Sequence, residues 1–212
     1  VIEPVLVGPK AKILAAAAEL GVGLDGIELI DKPHSHEAAE TGVVLARTAK
    51  VAALMNGALH TQELLATVVR REPGLRTERR MSHVYALDVP NRSNALFIMD
   101  AAVNIAPSLD DKRDIVQNAI DLCHALGIPE PKVAVLSAFE TVSPKIASTI
   151  DAAALCKMAE RGQITGGLVD GPLAIDKAVS GPAAVTKRIV SLVAGDADVL
   201  VVPDLVSGNM LA

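Results

Sequence analysis

The sequence predicts an α/β protein with two lobes, each a mostly parallel sheet carrying helices on both faces. Short apolar runs alternate along the 212 residues with longer segments of helical spacing. Several of the short runs, at 133–136 and 199–202 for example, are apolar at every position, as strands covered on two sides must be. Composition agrees. Half of the residues are hydrophobic while Tyr85, Phe97 and Phe139 are the whole aromatic complement, so Ala, Val, Leu and Ile have to fill the core.

The elements follow in order. Residues 4–7 read as a strand closed by Gly8 and Pro9, and 10–20 as a helix with Ile13, Leu14, Ala17 and Leu20 on one face. A short strand at 27–30 precedes a helix capped by Ser35, whose apolar face is Ala38, Ala39, Val43, Ala46 and Ala49. A strand at 51–55 leads into a helix over 61–71. The alternating runs 81–89 and 95–99, separated by the turn-rich 90–94, predict an antiparallel pair. Ser108 with Asp111 has the form of a capping box ahead of a long helix carrying Ile115, Val116, Ala119, Ile120, Cys123 and Leu126. Strands at 133–136, 165–169 and 199–202 then alternate with helices over 150–161 and 183–190. A fresh helix–strand series begins at Ser108, so the expected lobes are residues 1–108 and 109–212.

Charge and composition exclude several classes. A net charge of −5 and the lack of aromatic stacking platforms disfavour nucleic-acid binding. No apolar run reaches the ~18–20 residues of a membrane span, and Glu3, Lys10 and Lys12 break any signal-like start. Cys123 and Cys156 form no CxxC pair, and His34, His36, His60 and His124 lack metal-ligand spacing with acids, so no metal is expected. Neither a GxGxxG nor a GxxxxGKS/T loop is present. A cytoplasmic protein is the expectation. The chain starts without Met and stops at Met210-Leu211-Ala212, which reads as an internal piece of something longer.

In open α/β sheets ligands gather beyond the carboxyl ends of strands, so the residues after each strand are the candidates. They are 56–61, 100–107, Ser137, 170–173 and 203–209, rich in Asp, Asn, Ser, Gly and Pro. Turn chemistry alone selects the same residues. Thr61 fits either an anion-binding helix start or a plain cap. Arg70, Arg71, Arg76, Arg79 and Arg80 crowd one stretch, where one or two can meet phosphate and the others form a solvated cluster. His83 fits a strand face as well as a catalytic role, and both cysteines read as small helix-face hydrophobes.

Taken together, GALHT (57–61), GLRTERRMSHV (74–84), DAAVNIAP (100–107), VQNAIDLCHALGI (116–128), KVAVLS (132–137), RGQITGGLVDGPLA (161–174) and VAGDADVLVVPDLVSGN (193–209) resemble the phosphate acetyltransferase and phosphate butyryltransferase family. The resemblance covers essentially the whole chain. It looks closest to the acyltransferase part of bifunctional enoyl-CoA hydratase/phosphate acetyltransferase proteins. It implies a two-lobed fold like isocitrate and isopropylmalate dehydrogenases, a homodimer, and reversible acyl transfer between coenzyme A and phosphate in an interlobe cleft. It implies no tightly bound cofactor, with coenzyme A, acyl-CoA and phosphate as the small-molecule substrates. Family members have further chain at both ends. The missing downstream part, which would also complete the first lobe, carries the family's Ser-Arg pair and Asp, so catalytic residues are not assignable here.

The residues expected to bind and orient substrates are His60, Thr61, Ser82, Asp100, Asn104, Ser137, Asp170, Gly208 and Asn209. Arg70 is added as a replacement for an arginine that the family often has where this chain has Ala66. Two rival readings are a non-catalytic acyl-CoA-sensing regulatory domain and an NAD-dependent hydroxyacid dehydrogenase of the same fold.

Overall fold

The structure, a computed structural model, describes every residue except Val1, Pro73, Asn91 and Ser93. Part of the turn expected at 90–94 therefore lies outside the described residues. The chain divides into two compact units, Val1–Glu78 and Arg79–Ala212. The division precedes the antiparallel pair instead of following it near Ser108, because that pair joins the sheet formed by the later strands.

In the first unit β1 (Val5–Gly8) and β2 (Glu28–Asp31) pair in parallel, with helices α1 (Lys10–Leu20), α2 (Ser35–Arg47) and α3 (Thr61–Val68). Helix α1 stops at Gly21, whose left-handed φ of 66° turns its N–H back onto the carbonyls of Ala17 and Ala18. Ser35 does not cap α2. His34 holds the cap position, and the Ser35 hydroxyl donates to Glu63 at 3.2 Å instead. Residues 51–55 form no strand. Ala52 and Ala53 have little strand propensity, and the Val51 amide bonds back to the Leu45 carbonyl of α2.

The second unit holds a five-stranded sheet of β3 (Val84–Leu87), β4 (Leu96–Met99), β5 (Lys132–Leu136), β6 (Leu168–Leu173) and β7 (Val199–Val201), in the order β3-β4-β7-β5-β6. Only β3 runs antiparallel to its neighbour, with Val84 opposite Met99. The period-two alternation splits the strand residues between two cores. Phe97, Met99, Val133, Val135, Val199 and Val201 face α4 (Leu109–Ala125) and α5 (Ala147–Glu160). Leu96, Ile98, Ala134, Leu136, Leu200 and Val202 face Ala178, Val193 and Ala197 on the other side. This is the two-sided burial that the apolar runs predict.

Two expectations change. Strand β6 continues through Asp170, Gly171 and Pro172, which read from sequence as a turn. It lies at the sheet edge, where proline is tolerated, and a Cβ at Gly171 would come within 2.6 Å of the Val135 carbonyl oxygen. The helix expected at 183–190 is α7 (Gly181–Thr186), which Ser180 caps with Pro182 in its first turn and which stops at Thr186, and a short helix not expected from sequence, α6 (Ile175–Val179), precedes it. Helix α8 (Leu205–Leu211) closes the chain. Among the described residues no helix is long and apolar enough to cross a membrane.

Candidate active site

The carboxyl edge of the second unit's sheet is built around the end of β4. Asp100, which follows it directly, is 2% exposed. Its Oδ1 accepts the amides of Ala102 and Val103, both at 2.9 Å, which folds the 100–104 loop back on the strand. Its Oδ2 accepts from Asn104 Nδ2 at 2.5 Å. Asn104 is equally buried, and its Nδ2 also donates to the Met81 carbonyl at 2.9 Å. Asn104 Oδ1 then accepts from Arg80 Nε at 2.7 Å. Buried amides and carboxylates have to find such partners, and both side chains are fully engaged.

The neighbouring tip, after β7, is held against this loop. The Val202 amide donates to the Met99 carbonyl at 2.7 Å and the Leu205 amide to the Ile105 carbonyl at 3.1 Å. Asp204 caps α8 through the Ser207 amide at 2.8 Å. Gly208 is a close-approach residue, since a Cβ there would meet Ala101 Cα at 3.0 Å and Val202 Cγ2 at 2.8 Å. Asn209 Nδ2 donates to the Ala101 carbonyl at 3.4 Å. Ser82 precedes β3 and joins the same edge, its hydroxyl accepting from Asn118 Nδ2 at 3.0 Å.

Helix α4 contributes its N-terminus. The expected capping box is present: the Asp111 amide donates to Ser108 Oγ at 3.2 Å while Asp111 Oδ2 accepts the Ser108 amide at 3.0 Å. The Ser108 hydroxyl, its amide and, more weakly, Arg80 hold the Asp111 carboxyl below the usual carboxylate range despite opposing desolvation. A carboxyl depressed by folding contributes stability above its unfolded pKa, and that contribution is lost as pH falls through the folded value. Ser108→Ala is expected to cost about 1 kcal/mol in urea unfolding at neutral pH, with a smaller penalty below the carboxylate range. A cavity of about 220 Å³ opens here, lined by Arg80, Asp111 and the loop 103–107.

The structure thus brings Ser82, Asp100, Asn104, Gly208 and Asn209 to one edge. Ser137 ends β5, two strands from β4, with its hydroxyl 2.8 Å from Ser148 Oγ. Asp170 does not sit at a strand tip. It lies inside β6 opposite Ala134 and accepts the Gly171 amide at 2.8 Å. His60, Thr61 and Arg70 belong to the first unit. His60 is the cap residue of α3 without a side-chain cap bond, and the Thr61 hydroxyl accepts from Asn56 Nδ2 at 3.1 Å. Arg70 Nη1 pairs with Glu40 at 2.8 Å. Of the arginine cluster, Arg79 bonds to Asp121, Arg80 enters the site, and Arg71 and Arg76 line a separate cavity of about 390 Å³ with Thr77 and Glu78.

Both cysteines are free thiols. Burial, with Asp198 nearby, pushes Cys123 from 9.0 to about 11, and burial, with Asp170 nearby, pushes Cys156 to about 12. The thiolate is the nucleophile, so neither is primed for attack. Neither thiol is expected to react quickly with a disulfide reagent at pH 8 until the protein is unfolded. A thiol raised by folding stabilises fully below its unfolded pKa, so stability is expected to fall as pH climbs from about 9 through 11.

A mostly parallel sheet that gathers a buried Asp–Asn pair, an arginine and a capped helix start at its carboxyl edge places this chain among the α/β proteins, a class whose ligands gather beyond the carboxyl ends of the strands. The chain belongs to the phosphate acetyl/butaryl transferase family, whose model matches residues 32–211. It is 59% identical over 211 residues to a phosphate acetyltransferase of Rhizobium meliloti, covering 100% of this chain and 67% of that protein. It is 56% identical over 213 residues to a phosphate acetyltransferase of Rickettsia felis, covering 100% of this chain and 61% of that protein. The crystal structure of a branched-chain phosphotransacylase from Enterococcus faecalis V583 matches with a TM-score of 0.78 at 27% identity, over 97% of this chain and 82% of that one. The chain spans 61–67% of the length of these two curated relatives.

Proposed function

We propose that the full-length protein is a phosphate acyltransferase, moving an acetyl or other short acyl group reversibly between the thiol of coenzyme A and inorganic phosphate to give an acyl phosphate. The observation that carries this reading is the 59% identity, over 211 residues, to a protein named phosphate acetyltransferase. The polar strand tips support it. Transfer passes through a tetrahedral centre with growing negative charge, where each pre-aimed donor supplies about 3–4 kcal/mol. Alignment of two bound substrates is worth as much as about 7–11 kcal/mol, and the carrier thiol needs a base to accept its proton.

In this reading Ser82, Ser137 and Asn209 offer polar groups to the substrates, while Asp100, Asn104 and Gly208 hold the edge in shape. His60, Thr61 and Arg70, all in the first unit, are further candidates for substrate binding, and Asp170 has a lesser part because it lies within its strand. A two-lobed fold of the isocitrate dehydrogenase kind, a homodimer and a cytoplasmic location belong to the same proposal. No relative named above supports the acyl-CoA-sensing or NAD-dependent alternative.

The test incubates full-length protein with acetyl-, propionyl- or butyryl-CoA and follows thiol release with and without phosphate. Phosphate-dependent release from at least one of them is expected. Tight acyl-CoA binding with no phosphate-dependent release overturns the reading in favour of a sensor.

A further inference from the structure

Resting on the acyltransferase reading, we propose that Arg80 binds a phosphate-group oxyanion at the β4 edge, and that Asp100 and Asn104 are positioning residues that aim its guanidinium. Arg80 is anchored along its length. Its amide donates to Asp114 Oδ2 at 2.9 Å, its carbonyl accepts from Asn118 Nδ2 at 2.9 Å, and its Nε donates to Asn104 Oδ1 at 2.7 Å. The Asn104 amide has one workable orientation. Its NH2 faces two acceptors, Asp100 Oδ2 and the Met81 carbonyl, so its oxygen must face the guanidinium. A flipped amide would set oxygen against carboxylate and NH2 against a cation.

Among the described residues the two terminal nitrogens of Arg80 have no hydrogen-bond partner, and the side chain is 57% exposed where it lines the 220 Å³ cavity. Two parallel donors on a rigid plane match two oxygens of a phosphate group. The cavity lies below the ~300 Å³ at which sites for larger organic ligands begin, so it suits a tetrahedral oxyanion better than a nucleoside. Asp111 also lines the cavity. Its Oδ2 is taken by the Ser108 amide and hydroxyl, and its Oδ1 lies 3.8 Å from Arg80 Nε, so its charge is offset locally.

The test compares full-length wild type with Arg80→Gln, Arg80→Lys and Asn104→Ala. Arg80→Gln keeps the backbone anchors and is expected to raise KM for phosphate about 10- to 100-fold, the loss of charge-assisted hydrogen bonds, with KM for acyl-CoA unchanged. Arg80→Lys, a charge without the fork, falls between, and Asn104→Ala raises the same KM with less effect on kcat. A rise confined to KM for acyl-CoA would also support the proposal, with a phosphate of the carrier as the bound group. Both KM values within twofold of wild type in folded Arg80→Gln would overturn it.

Thermal unfolding with added inorganic phosphate or coenzyme A reads the same contact without turnover. One of the two is expected to raise Tm of wild type and not of Arg80→Gln; equal shifts in both proteins overturn the proposal. A wild type that shows the Tm difference but no phosphate-dependent thiol release would instead remove the acyltransferase reading.

Discussion

Asp100→Ala is expected to lose about 3 kcal/mol or more of folding stability. The carboxylate accepts three hydrogen bonds from a position 2% exposed: two backbone amides and the Asn104 side chain. Each donor left unpaired costs about 1–3 kcal/mol, less where water reaches the loop. Asp100→Asn separates the contributions. Its oxygen can still take the Ala102 and Val103 amides, but its NH2 then opposes that of Asn104, so about half of the loss is expected. Urea unfolding of both variants measures the difference. Two variants within about 0.5 kcal/mol of wild type would show that the loop does not depend on this carboxylate, since changes of that size are ordinary for unremarkable surface positions.

Asp151→Ala is the second large effect, expected at about 3–5 kcal/mol. Lys112 of α4 is buried, its side chain 7% exposed, and its Nζ reaches Asp151 of α5 at 2.6 Å. Removing the partner strands a buried ammonium between the helices, whereas removing both charges does not. The double variant Lys112→Met/Asp151→Leu is therefore expected to recover most of the lost stability, because apolar replacement of a buried pair is often neutral or better. A double variant as unstable as Asp151→Ala would mean that the pair's net attraction, and not the stranded charge, dominates.

The parts of this fold that could be read from sequence are those decided within a few residues. The Ser108–Asp111 cap depends on one four-residue spacing, and the two cores follow from strand alternation at 96–99, 133–136 and 199–202. The two misread strands are non-local. A strand depends on its ladder and not on its own residues alone: 51–55 has the apolar run but bonds back to α2, while Gly171-Pro172 has turn composition and is edge strand. Arg80 and Asn104 meet because β3 lies antiparallel to β4 with Val84 opposite Met99, which carries residues 80–82 past the end of β4. The antiparallel pair was legible, and extending its register would have singled out Arg80 among five crowded arginines. Nothing in the sequence pairs Lys112 with Asp151.

The most direct test of acyl transfer between thiol and phosphate is isotope exchange. Full-length protein is incubated with acyl phosphate and radiolabelled inorganic phosphate, with or without coenzyme A, and the label entering acyl phosphate is counted. Burial raises the pKa of both thiols, so neither Cys123 nor Cys156 is primed to hold the acyl group. Label should enter acyl phosphate only when coenzyme A is present. Exchange without coenzyme A, or none under either condition, would contradict the account.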